Sequence, residues 1–306
     1  MYKLILFFLI SVVTLANTFP NDLDIYLKEK ESKYNDIIKN TEKKIFWYNE
    51  HNKKTKYSIV YLHGFSATRQ ETYPLANEIA NELKANVFYT RYTGHGRPGK
   101  YLGEAKNKDW KNDTIEAIEI GKQIGEKVIV IGTSTGGTLA TWYAMESIKK
   151  NKDLDNITYI LLSPNYKVKN SKSILLEIPI IRNIIVNFFI KEQSWQGHSE
   201  EENRYWTTKY PSKVLIQMAN LVKEVRNFNF HNLRQNFFII HSNNDDVVNT
   251  DIIDKKYSEL GSKNKKLLVI DVKDYGRHVL AGNIMAPSNT EYLKTEIIKY
   301  LKDINF

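Results

Sequence analysis

The chain has 306 residues, and 42% of them are hydrophobic, enough to bury a large core. With no cysteine it cannot form disulfides, use thiol catalysis, bind a metal through thiolates or carry a lipidated cysteine. The formal net charge of +9 comes largely from dispersed lysines such as Lys28, Lys53, Lys106, Lys167 and Lys265. That pattern describes a solvated surface rather than a nucleic-acid patch, and it is compatible with weak attraction to anionic lipid.

From the N-terminus, a weakly basic start (Met1 to Lys3) precedes an apolar run from Leu4 to Val13 and the small residues of Thr14 to Ala16. This reads as a signal peptide over residues 1–16, cleaved near Ala16, and so as export to the periplasm or medium. The alternative is an uncleaved N-terminal anchor, although the run is shorter than the ~20 residues a spanning helix needs. Residues 17–43 form an N-terminal helical segment, with apolar positions at helical spacing from Leu23 to Ile38.

Strands are predicted at Lys44 to Tyr48, Ser58 to Leu62, Asn86 to Tyr92, Lys127 to Ile131 and Ile157 to Leu162. Helices are predicted at Tyr73 to Leu83, Asp109 to Ile124 and Gly137 to Ile148. A glycine-rich turn, T-G-H-G-R-P-G, follows the third strand. Late in the chain come strands at Asn236 to His241 and Leu267 to Asp271, and helices at Asp251 to Leu260 and Thr290 to Leu301. Alternation of this kind predicts an α/β fold, a mainly parallel sheet with helices on both faces. The core comprises residues 44–164 and 231–306. Residues 165–230 interrupt it as an inserted helical cap. Leu215 to Val225 is an amphipathic helix in that cap, and Ile174 to Ile190 is an apolar stretch expected either to pack the cap or to line an acyl site.

The sequence G-T-S-T-G-G, residues 132–137, lies between a predicted strand and a predicted helix. A G-x-S-x-G turn in that position raises its serine above the sheet edge, making Ser134 the candidate nucleophile. The Thr135 backbone N–H, at a helix N-terminus, is a candidate oxyanion donor. The Phe65 N–H, in Y-L-H-G-F-S after an early strand, is the second. His63 in the same stretch is read as structural. The general base should follow the nucleophile on a loop near the strand ends, which selects His278 over His198, His231 and His241. F-F-I-I-H-S-N-N-D-D-V-V supplies the acid. Asp245 is preferred over Asp246 because a packed Val248 three residues on would fix the loop, and Asp271 and Asp274 are weaker choices.

These motifs (H-G-F at 63, G-H-G at 94, G-T-S-T-G at 132, D-D-V-V at 245 and H-V-L at 278) give the chain its resemblance to the α/β-hydrolase superfamily. It is most similar to bacterial monoacylglycerol-lipase-like and lysophospholipase-like serine hydrolases. The match runs from about Lys44 to Leu301. The resemblance implies an α/β-hydrolase fold and a serine carboxylesterase that uses Ser134, Asp245 and His278 on a small-molecule or lipid ester, with neither cofactor nor metal. Threonines on both sides of Ser134, and the missing serine after the second glycine of T-G-H-G-R-P-G, leave the substrate open. An amidase or aminopeptidase on the same scaffold, with Glu201 or Glu202 holding a substrate amine, is one alternative. A non-catalytic binding protein is the other.

Overall fold

The computed structural model describes residue 20 and residues 22–151 and 155–306. The apolar N-terminal run expected to be a signal or anchor lies outside the described residues. Seven strands form one sheet in the order β1-β3-β2-β4-β5-β8-β9. They are β1 (Lys44–Phe46), β2 (Thr55–Leu62), β3 (Asn86–Tyr89), β4 (Gly125–Thr133), β5 (Ile157–Leu162), β8 (Asn236–Ser242) and β9 (Lys265–Ile270). Only β1 runs antiparallel to its neighbour; the other pairs are parallel.

Period-two alternation divides the core between the two faces of this sheet. Val60, Val128 and Val130 join one buried cluster with Trp110 and Ile118 of α4 (Asn107–Ile124) and Leu139 and Ala140 of α5 (Thr135–Lys149). Their sequence neighbours Ile59, Tyr61, Ile129 and Ile131 face the other way. There they meet Leu75 and Ile79 of α2 (Leu75–Leu83) and Leu293 and Ile297 of α10 (Thr290–Asp303). Burying a side chain of this size contributes about 1.5–3 kcal/mol, so the alternation fixes strand register firmly.

The N-terminal segment differs from its predicted form. Helix α1 covers only Leu23–Glu31, capped by Asp22, whose carboxylate accepts the Ile25 N–H. The residues beyond it leave the helix because the loop after β3 holds them. Asp36 binds Arg97 at 2.6 Å, Tyr34 lies under the Arg97 guanidinium, and the Ile38 N–H donates to the Gly96 carbonyl. The glycine-rich turn also continues into a short helix that periodicity did not reveal, α3 (Gly99–Glu104).

Between β5 and β8 the chain leaves the sheet. It forms a 3₁₀ turn (Ser171–Glu177), α6 (Pro179–Ile184), a π-helical turn (Ile185–Phe189), a two-stranded ribbon of β6 (Glu192–Ser194) with β7 (Lys209–Pro211), α7 (Glu200–Tyr205) and α8 (Lys213–Arg226). The amphipathic helix read from the sequence is α8, which buries Val214, Leu221, Val222 and Val225. The apolar stretch before it does not pack as expected. Of Ile174 to Ile190 only Val186 is buried, and none of these residues lines the central cavity. After β8 the chain enters α9 (Thr250–Glu259) and then β9.

Candidate active site

Ser134 sits between β4 and α5 with φ 51° and ψ −115°, a conformation costly for a non-glycine residue. The turn is held from both sides. The Ser134 N–H donates to the Leu162 carbonyl at 2.9 Å, and its own carbonyl accepts the Asn165 and Thr138 N–H groups, both at 3.1 Å. Gly136 makes the turn possible, because a Cβ there would overlap the Leu62 carbonyl oxygen of β2. Strain kept in place by several bonds marks a functional turn more often than an accident.

The loop after β8 carries Asp245, the candidate acid. One oxygen of Asp245 accepts the Val247 and Val248 N–H groups, each at 2.9 Å, and the other meets His278 Nδ1 at 2.8 Å. Burial opposes charge on this carboxyl. The His278 hydrogen bond and charge, with the Val248 and Val247 donors, outweigh burial and hold its pKa below the ordinary aspartate value. Val248 is buried, as the choice of Asp245 required, and Asp246 is exposed. Asp274 is engaged elsewhere, accepting from the Ser288 hydroxyl and N–H. His241 pairs with Asp254. His278 and Ser134 form parts of the same cavity wall, and among the described residues no hydrogen bond joins them directly.

That cavity has a volume of about 510 Å³, in the range of small-molecule sites. Phe65 and Thr135 also line it. Neither of their backbone N–H groups has an acceptor among the described residues, so both are available to an oxyanion. Thr133, by contrast, turns away. It is fully buried behind the site, with its hydroxyl 3.0 Å from the Tyr61 hydroxyl. Aromatic and apolar side chains from the β5–β8 segment also line the cavity, among them Trp195, Trp206, Tyr210 and Met218.

His63 is buried and holds backbone on both sides. Its Nδ1 lies 2.9 Å from the Gly64 carbonyl, and its Nε2 accepts the Tyr92 N–H at 3.1 Å. Burial is the main cause of a pKa lowered to about 4, which keeps the ring neutral. His95, from the glycine-rich turn, accepts the Ser66 N–H in the same manner at 3.1 Å. The two imidazoles therefore tie the Gly64–Ser66 loop, and with it the Phe65 N–H, to the Tyr92–His95 loop after β3.

Sequence reasoning missed Glu71. Its side chain is buried, reaches the cavity wall, and accepts the Gly64 N–H at 2.6 Å and the Tyr61 hydroxyl at 2.8 Å on one oxygen. Burial drives its pKa up to about 8, against the opposing effect of those two donors. Nothing local in R-Q-E-T distinguishes it from a surface glutamate. The sequence offers His198 only as a cap histidine passed over for His278, and Glu202 only as a holder of a substrate amine. In the structure Glu202 is buried and its carboxylate binds His198 through both the backbone N–H and Nδ1, each at 2.8 Å. The His198 ring stacks on Tyr275 at 4.4 Å, linking this segment to the loop that carries His278. Glu201 is exposed.

Solved structures share this architecture. One is that of a metagenome-derived lipolytic enzyme of the LipS and LipT pair, 17% identical, covering 87% of this chain and 99% of its own at a TM-score of 0.70. Another is a monoacylglycerol lipase from Paleococcus ferrophilus, 14% identical, covering 85% and 97% at 0.61. A third is a soluble variant of monoglyceride lipase from Saccharomyces cerevisiae, 13% identical, covering 86% and 91% at 0.65. At these identities the likeness establishes the fold, and the α/β-hydrolase expectation is borne out. No curated protein matches the sequence. The family model of the hydrolases described as serine aminopeptidase, S33, matches residues 53–280, and the chain belongs to that family.

Proposed function

We propose that this hydrolase cleaves carboxylic esters of lipid-like substrates through an acyl-enzyme on Ser134. The observation that carries the reading is the strained Ser134 turn, which opens on the same cavity as a His278 already oriented by Asp245. His278 Nε2 takes the hydroxyl proton as Ser134 Oγ adds to the acyl carbonyl carbon. The oxyanion forms between the Phe65 and Thr135 N–H groups. Collapse of the tetrahedral species breaks the acyl–oxygen bond, and the imidazolium returns its proton to the leaving alcohol. Water, deprotonated by His278, adds to the acyl-enzyme and releases the acid. Asp245 stays ionised throughout and stabilises the imidazolium. The apolar and aromatic side chains that line the cavity with Ser134 support a greasy acyl group.

A second reading is favoured by one observation. Glu202 is buried at the cavity wall, where an acid could hold a substrate ammonium, and the family description is that of an aminopeptidase. Its carboxylate is bound by His198, which supports a structural role instead. A fluorophosphonate probe, followed by a series of p-nitrophenyl esters and aminoacyl p-nitroanilides, tests both readings. The ester reading expects an adduct on Ser134 and turnover that rises with acyl length. Turnover confined to aminoacyl anilides would establish the peptidase, and absence of any adduct would leave a binding protein.

A further inference from the structure

The stretch from Ile174 to Ile190 carries eight large apolar side chains open to solvent: Ile174, Ile178, Ile180, Ile181, Ile184, Phe188, Phe189 and Ile190. Ile180, Phe188 and Phe189 are 75%, 76% and 77% exposed. Scattered exposed apolar residues are ordinary, but so many within one short segment mark an interaction surface. The surrounding charge is predominantly positive. Residues 167–192 contain Lys167, Lys169, Lys172, Arg182 and Lys191 against two acids, Glu177 and Glu192. Both acids are paired from outside the segment, Glu177 by Arg226 of α8 at 2.7 Å and Glu192 by Lys209 at 3.1 Å.

We propose that this segment seats the protein on an anionic lipid surface. Ile180, Phe188 and Phe189 enter the acyl layer, and Lys172 and Lys191 meet the headgroup phosphates. Charge selects this occupant over a second copy of the chain. An isologous contact would set the same cationic segment against itself, which is repulsive. Among the described residues no helix is long and apolar enough to cross a membrane, so the segment is suited to a peripheral seat. Its position gives the seat a use. Val168 just before the segment and Trp195 just after it both line the Ser134 cavity, so lipid at this surface lies beside the cavity mouth. The surface does not depend on the catalytic reading, and Ser134→Ala should bind lipid as the native chain does.

Because the chain has no cysteine, a single engineered one reports on its own position. The experiment uses full-length Phe188→Cys carrying an environment-sensitive nitrobenzoxadiazole label, with Tyr292→Cys on α10 as the reference position. On phosphatidylcholine vesicles containing phosphatidylglycerol, the label at 188 should brighten and shift to the blue, and the label at 292 should not. The response should weaken on phosphatidylcholine alone and at high salt. Changing Phe188 and Phe189 together to serine should lower the vesicle-bound fraction by about tenfold or more, given the apolar area withdrawn. An unchanged label at 188 on vesicles that do bind the chain would overturn the proposal and assign binding to another part of the protein. A response without vesicles that grows with protein concentration would overturn it in favour of self-association.

Discussion

Glu71 Oε1 lies 2.6 Å from the Gly64 nitrogen, so a buried carboxyl group braces the residue immediately before Phe65. The Tyr61 hydroxyl donates to the same oxygen, and Thr133, next to Ser134, contacts that hydroxyl. One polar network thus runs behind the Ser134 turn and the proposed oxyanion loop together. It lies in the layer where a charge is poorly solvated, so the proton on Glu71 bears directly on stability.

The pH dependence follows in sign. An acid whose folded pKa is about 8 and whose ordinary value is 4.5 binds a proton in the folded state that the unfolded chain has lost. Its effect is therefore a loss of stability as pH rises between those values. His63 acts in the other direction. With a folded pKa of about 4 against 6.5, it destabilises the fold as pH falls below 6.5. Between 6.5 and 8 only the Glu71 effect remains of these two. Urea unfolding should show wild-type stability falling by on the order of 2 kcal/mol across that window, and Glu71→Gln should flatten the fall. An identical slope in both proteins would show that Glu71 does not carry the proton.

Ser134 should separate stability from activity. Ser134→Ala should abolish ester turnover and leave the fold intact. Ser134→Gly should be equally inactive but more stable, by about 1–2 kcal/mol, because glycine adopts the positive φ without strain. Urea midpoints and p-nitrophenyl ester assays on the two variants check this. Wild-type turnover in Ser134→Ala would disprove the acyl-enzyme mechanism.

The neighbouring aspartates should behave very differently. Asp245→Asn preserves an acceptor for Val247 and Val248 but removes the charge facing His278. Its kcat should drop by roughly 10⁴-fold, the scale known for triad aspartates. Asp246→Asn, on an exposed residue, should stay within a few-fold of wild type. Steady-state kinetics on one ester distinguishes the pair, and the reverse ranking would reassign the acid.

Glu202 distinguishes ester from aminoacyl chemistry. If it serves only to hold His198, Glu202→Gln should alter ester kcat/KM modestly. If it binds a substrate ammonium, aminoacyl anilide hydrolysis should fall about ten- to a hundredfold, the worth of a charged hydrogen bond. Comparing kcat/KM for both substrate classes in wild type and variant decides between these roles.

The sequence alone determined the local and ordered features. Alternating β-branched runs and helical periodicity placed most strands and helices, because both patterns repeat within a few residues. The G-x-S-x-G turn, D-D-V-V and H-V-L could be read because their chain order carries information that distance along the chain does not erase. The hydrogen bond to His278 then fell on Asp245 rather than on its neighbour, which the buried Val248 had favoured. Tertiary structure decided what depends on surroundings. The N-terminal helix ended at Glu31 because Arg97 and Gly96 hold the residues beyond it. The fold buries Glu71, and that burial raises its pKa against the Tyr61 and Gly64 donors, an outcome nothing in its local sequence announces. The run from Ile174 to Ile190 reads by composition as cap packing or acyl-site lining, yet the fold leaves it open to solvent and away from the cavity. Hydrophobicity states what a side chain gains from burial; only packing determines whether anything is there to bury it.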